Sequence, residues 1–288
     1  MRARLVLLAL LLACPGPLAG QQRIDRGFKV DPDVSVRITS PVGGIRVIGW
    51  ERDSIHVSGE IPPTAGQFYG AGKGSGAKLG IERSEQSTAP GATLEVRVPL
   101  RARVWIKTIS AYVDASGLGG ELDLTSVTGD ARIAGAPRVV SAETLEGAIT
   151  ADLAAGVARL RTGAGPIRVR AEECDLTAVS VGGLVEVTSP RLARARLESV
   201  AGTIRFTGNL APGATLEAET HAGDVLLRFV GAVNAEFELA AVAGAVTGSL
   251  LGKVPLGKGT ATRFTIGDGG AEITARTFKG RIVVDREG

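Results

Sequence analysis

The sequence predicts an all-β chain: a single-chain β-solenoid (β-helix) of roughly 18–21-residue rungs, stacked in parallel behind an N-terminal strand cap. Three observations predict it. A Ser/Thr-x-x-Gly turn recurs as Ser126-Val-Thr-Gly129, Thr144-Leu-Glu-Gly147, Thr162-Gly-Ala-Gly165, Ser180-Val-Gly-Gly183, Ser199-Val-Ala-Gly202 and Thr220-His-Ala-Gly223. Successive glycines from Gly129 to Gly244 are spaced by 18, 18, 18, 19, 21 and 21 residues, and the pattern resumes at Gly280. A fixed period of this length marks a stacked repeat, and 18 residues are too few for a pair of helices. Finally, apolar residues sit two and four after each glycine, as in Ile149 and Ala151, Ile167 and Val169, or Val185 and Val187. That alternation is a strand with one buried face.

Taken in chain order, the first 20 residues read as a leader. Arg2 and Arg4 precede the apolar run Leu5–Ala13, a basic segment followed by a short hydrophobic one, too short to span a membrane. Two exits are open: cleavage near Gly20, which is preferred, or processing at Leu11-Leu-Ala-Cys14, where Cys14 is the lipidation candidate. The protein is therefore expected to be exported, to the periplasm, the outer-membrane surface or the medium. Either exit leaves Cys174 as the one cysteine of the mature chain, which excludes an internal disulfide and a cysteine metal site.

Residues 21–60 read as an N-terminal strand and cap region. Val34-Ser-Val-Arg-Ile38 and Ile45-Arg-Val-Ile48 alternate, and Ser40-Pro-Val-Gly43 matches the repeat turn. Residues 61–93 read as a Gly/Pro-rich loop, because Pro62-Pro63 is followed by Tyr69–Gly80, with glycines at 70, 72, 74, 76 and 80. Its Lys73 fits neither phosphate-loop spacing. Residues 94–288 form the repeat domain. In each rung a second strand precedes the glycine, with apolar residues seven and five back, such as Leu122 and Leu124 or Phe237 and Leu239. The turn glycines Gly129, Gly147, Gly165, Gly183, Gly202, Gly223, Gly244 and Gly280 are expected where the chain turns sharply, some with positive φ. The Ser/Thr column beside them is expected to bond turn backbone.

Composition agrees. Hydrophobic residues make up 44% but aromatics only 4%, with 40 glycines, which suits thin rungs rather than a bulky core. The formal net charge of +3 falls to +1 once Arg2 and Arg4 are removed, so composition predicts no nucleic-acid footprint.

Exported leader, the strand pair Pro41-Val-Gly-Gly-Ile-Arg-Val-Ile-Gly-Trp50, the Leu94–Pro99 strand, serial repeat turns and a closing Thr277-Phe-Lys-Gly-Arg-Ile-Val-Val284 together resemble the bacterial DUF4097 family of adhesin-like β-strand-repeat proteins. The resemblance implies a β-solenoid of the cell envelope without established catalytic residues.

No catalytic, cofactor-binding or metal-binding residue is assigned from the sequence, and no cofactor is expected. His56 alternates with Ile55 and Val57 on a strand, and His221 occupies a turn position. Outward carboxylates Asp123, Glu143, Glu198, Glu217, Glu219 and Glu238 could serve a polysaccharide-cleaving β-helix. Arg159, Arg161 and Arg196 share their columns, as on a self-neutralised face. Trp50 and Trp105 are candidate sugar platforms. The leading expectation is a non-enzymatic structural or adhesive surface whose partner is an envelope protein or a glycan, with membrane contact only through Cys14. The alternatives are a carbohydrate-active β-helix enzyme and a self-assembling envelope scaffold.

Overall fold

A computed structural model describes residues 22–63, 65–83, 90–252 and 261–287; the expected leader and Cys14 lie outside the described residues. The described chain is all-β, with one short 3-10 turn at Ser249–Leu251. Its strands are β1 (Gln22–Thr39), β2 (Gly43–Trp50), β3 (Ser54–Ile61), β4 (Gln67–Glu82), β5 (Ala92–Pro99), β6 (Arg103–Lys107) and β7 (Tyr112–Ser116). Then follow β8 (Glu121–Ser126), β9 (Ala131–Gly135), β10 (Val139–Thr144), β11 (Ile149–Thr162), β12 (Ile167–Ser180), β13 (Val185–Ser199) and β14 (Ile204–Thr220). The last are β15 (Val225–Val230), β16 (Ala235–Ala241), β17 (Val246–Thr247), β18 (Thr262–Ile266), β19 (Glu272–Thr277) and β20 (Ile282–Glu287).

These strands form two ladders that share one apolar core. The first ladder holds the segments that precede each turn, in the order β4, β1, β6, β8, β10, then the second halves of β11 to β14, all parallel. The second holds the segments that follow each turn: β5, β2, β7, β9, then the first halves of β11 to β14 and β15. Between adjacent repeats the register is one full repeat, with Ser126, Thr144, Thr162, Ser180, Ser199 and Thr220 aligned column-wise. The strands alternate buried and exposed because the sequence alternates: Ile149, Ala151 and Leu153 are buried in β11, while Thr150 and Asp152 are exposed. Four of the seven phenylalanines cluster in the C-terminal core, where Phe206, Phe229, Phe237 and Phe264 form a chain of ring contacts 4.7–5.8 Å apart.

Three features depart from the sequence reading. Residues 67–82, read as a loop, form strand β4, whose second half pairs with β1. Small residues let the chain bend at Gly74 (φ 55°) and lie against β1, while Leu79 and Ile81 fill the core. The turn glycines do not use positive φ. None of the eight is among the positive-φ residues, whereas Gly43 (φ 106°) is. What makes them glycine is proximity: a Cβ on Gly147, Gly165, Gly183, Gly202 or Gly223 would come closer than 3.0 Å to the carbonyl oxygen of the preceding turn glycine.

Finally, the rungs do not stack in chain order at the C-terminal end. β19 lies between β14 and β16, and β20 lies between β15 and β17. The last repeat in sequence is thus inserted beneath the one that precedes it. The charged segment Asp285-Arg286-Glu287 belongs to this inner rung. Outside it, β18 runs antiparallel to β16. At the other end β3 runs antiparallel to both β1 and β5. Antiparallel strands at both ends break the register that end-to-end stacking would continue.

Candidate functional site

The Ser/Thr column is consumed by the fold. Gly165, Gly183, Gly202 and Gly223 donate backbone N–H to the hydroxyls of Thr162, Ser180, Ser199 and Thr220 at 2.8–3.2 Å. Thr162, Thr220 and Thr277 donate in turn to the carbonyls of Gly147, Gly202 and Gly223 in the neighbouring turns. Each hydroxyl is buried. The column ties rung to rung and has no face left for a ligand.

Cys174 is buried in β12, and desolvation, with a smaller push from Asp175, raises its thiol pKa to about 11. The thiolate is the reactive form. We therefore expect no labelling of native protein by iodoacetamide at pH 7.5 over minutes, and stoichiometric labelling in denaturant. Fast native labelling, read by mass spectrometry, would show that the rung around Cys174 opens.

The two histidines lie apart. His56 Nε2 is 2.8 Å from Asp25 Oδ1, near the Trp50 ring. His221 is exposed at a turn and stacks on Phe278 at 5.0 Å.

The outward acids are distributed along the first ladder and are tied to arginine. Glu143 faces Arg161 across the strands. Arg196 holds Glu198 and lies 3.6 Å from Glu217. Arg276 bridges Glu219 at 3.0 Å and Glu238 at 2.9 Å, across three rungs, and Arg263 also reaches Glu238. Hydrogen bonds from Arg263 and Arg276 hold the Glu238 carboxyl below the usual carboxylate range. Glu198 and Glu219 are direct cross-strand neighbours in a groove of about 400 Å³ that Phe278 and Arg276 also line. Asp123 differs. Partial burial, then the charge of Glu143, pushes its carboxyl above the usual range.

Two surfaces carry unabsorbed chemistry. One is an apolar edge at the turns, where Ile109, Leu145, Val181, Val200 and Val242 stand more than half exposed, with Val127 and Phe278 less so and Gly163 and His221 interrupting the row. Their alignment is fixed by turn-to-turn hydrogen bonds such as Val127 N–H to Ile109 O and Leu145 N–H to Val127 O.

The other is an open groove of about 680 Å³ near the N-terminal end of the first ladder, lined by Ser35, Arg37, Ala71, Gly72, Lys73, Gly76, Ala77, Lys78 and Trp105. It follows from three adjacent strands. Lys78 on β4 is opposite Arg37 on β1, and Arg37 is opposite Trp105 on β6. Each is outward because its neighbours Ala77 and Leu79, Val36 and Ile38, Val104 and Ile106 are buried. Gly72 and Gly76 keep the floor low, and a Cβ at Gly76 would meet nothing within 4 Å. The sequence reading singled out Trp105 but missed the groove, because it placed β4 in a loop. The alternation of Arg37, Arg103, Trp105 and Lys107 with buried residues was the available signal.

No family model matches this chain. No curated protein matches it either. Two solved structures are similar in extent. A "putative adhesin" from Bacteroides fragilis is 16% identical, with a TM-score of 0.42, over 93% of this chain and 99% of its own. A "putative cell adhesion protein" from Clostridium sporogenes is 11% identical, with a TM-score of 0.26, over 92% of this chain and 100% of its own. At these scores the functional reading rests on the geometry alone. Among the described residues no group of His, Cys, Asp and Glu is arranged to hold a metal ion, and no helix is long and apolar enough to cross a membrane.

Proposed function

We propose that this chain is an exported, non-enzymatic β-solenoid of the bacterial cell envelope, of the adhesin-like DUF4097 type, that works as a binding surface. The observation that carries the reading is the state of the outward carboxylates. Cleavage of a glycosidic bond needs two carboxyls converging on one bond, one of them held protonated. Here Glu198 and Glu219 share a groove, but each is engaged by an arginine, Glu198 by Arg196 and Glu219 by Arg276, and Glu217 and Glu238 are likewise held by Arg196, Arg263 and Arg276. A rigid stack presents such columns at the inter-strand spacing of about 4.8 Å, which suits recognition of an extended partner.

Export is tested by expressing the full-length gene in a bacterial host and measuring the intact mass of each cell fraction. A mass beginning at Cys14 plus lipid, or at Gln21, in the envelope fraction is the expected result. A cytoplasmic chain that keeps Arg2 and Arg4 would overturn it.

One observation favours a second reading, a carbohydrate-active enzyme. Asp123, the acid whose carboxyl is pushed up, is the cross-strand neighbour of Trp105. Incubation with acidic and neutral polysaccharides, followed by size analysis, separates the readings. Chain shortening that Asp123→Asn abolishes would establish the enzyme.

A further inference from the structure

We infer that the N-terminal groove is a binding site for an acidic polysaccharide, a chain of sugars bearing carboxylate or sulfate groups. Its charge is the first argument. Arg37, Lys73 and Lys78 line it, and exposed Arg103 and Lys107 flank it on β6. Among the described residues, no carboxylate lies within 4.0 Å of a charged nitrogen of any of these five. Farther along the same ladder, arginines such as Arg138, Arg194, Arg196 and Arg276 are paired with carboxylates. Lys78 and Arg37 are direct cross-strand neighbours. Like charges so placed repel and cost stability, and an anion in the groove relieves that cost. A near-neutral chain thus concentrates positive charge at one end.

The shape and the aromatic set give the ligand class. Lys78, Arg37 and Trp105 follow one another at about 4.8 Å steps across the strands, so a bound chain would run along the stack axis. Trp105, 36% exposed, offers an indole at the end of that row. An apolar ring face beside cations suits a sugar that carries an acidic group. Single-stranded nucleic acid would call for aromatics under successive bases. Here Tyr69 is covered by the Lys78 ammonium, 5.7 Å from its ring. A bilayer would call for protruding apolar side chains, whereas these cations surround a depression floored by Gly72, Gly76 and Ala77.

The inference rests on the reading of the chain as a binding surface, and the two fail separately. Cleavage of the bound polymer would overturn the non-enzymatic reading and leave the groove intact. Absence of binding would overturn the groove and leave the fold and export untouched.

The test is titration of the mature protein with polygalacturonate oligomers and with a sulfated heparin oligosaccharide, against neutral dextran, single-stranded DNA and anionic vesicles. Calorimetry and tryptophan fluorescence are the readouts. Binding to one or both acidic glycans, weakened by salt and absent for dextran, is expected. Gly76→Glu places a carboxylate in open space, and should abolish binding without lowering Tm. Trp105→Ala should weaken glycan binding about tenfold. Lys78→Gln, a surface change, should weaken it and flatten its salt dependence. The proposal is overturned if neither acidic glycan binds, if DNA or vesicles bind more tightly than both, or if Trp105→Ala leaves the affinity unchanged.

Discussion

Gly183→Ala is expected to destabilise the protein by about 3 kcal/mol, at the upper end of what overpacking a close-packed site costs. The reason is geometric. A Cβ at Gly183 would come closer than 3.0 Å to the Gly165 carbonyl oxygen and to the Ala164 carbonyl oxygen of the turn below. Those atoms are backbone, so the rungs themselves must separate. Separation also stretches the turn-to-turn bonds from Val181 N–H and Gly182 N–H to Gly163 O, now 3.2 and 2.9 Å. Gly76→Ala is the control, because nothing lies within 4 Å of its added carbon. It should change stability by less than about 0.5 kcal/mol. Urea unfolding of the two variants decides the matter. Equal midpoints would mean that the turns absorb the added carbon without the rungs separating.

Deletion of residues 272–288 should cost more than the loss of an end rung. This segment is last in sequence but inner in space, because β19 and β20 carry the hydrogen bonds between β14–β15 and β16–β17. It contributes Ile273, Ile282 and Val284 to the core, each fully buried, at about 2 kcal/mol per side chain. That total rivals the whole stability of an ordinary domain. Polar ties go with it. Arg276 joins Glu219 to Glu238, and the Asp224 carboxylate accepts from Arg281 N–H and from its guanidinium. These Arg281 bonds hold the Asp224 carboxyl below its usual range. Hydrogen exchange should show loss of protection throughout Ala235–Ala241, not only at the new chain end. Retained protection there would mean that β16 re-pairs directly with β14, as a serial stack would have it.

The repeat and its two strand faces were legible because burial follows local alternation. Leu216, Ala218, Ile204 and Phe206 each fall on the predicted parity, and each is buried. The Ser/Thr column was legible for the same reason: a hydroxyl three residues before a glycine can reach only turn backbone. Glu143 opposite Arg161 and Arg196 beside Glu217 followed from the period itself. Gly70, Gly72, Gly74 and Gly76 were misread, because composition reports conformational freedom and not what a neighbouring strand does with it. Strand β1 offers the second half of β4 a free edge, where Gly74, Gly76 and Gly80 pair with Val30, Ser35 and Thr39, and this pairing overrides the low strand propensity of glycine.

By itself, then, the sequence determined the all-β character, the period, the buried parity and the column of turn residues, since each is set by interactions within one repeat or between successive repeats. Only the tertiary structure decided which strands lie side by side. It slid β19 and β20 beneath β16 and β17, closed both ends with antiparallel strands, and brought Lys78, Arg37 and Trp105 from three distant segments into one groove. Strand pairing is a choice among partners of nearly equal local fitness. It is settled by core packing and cross-strand contacts that no window of the chain contains.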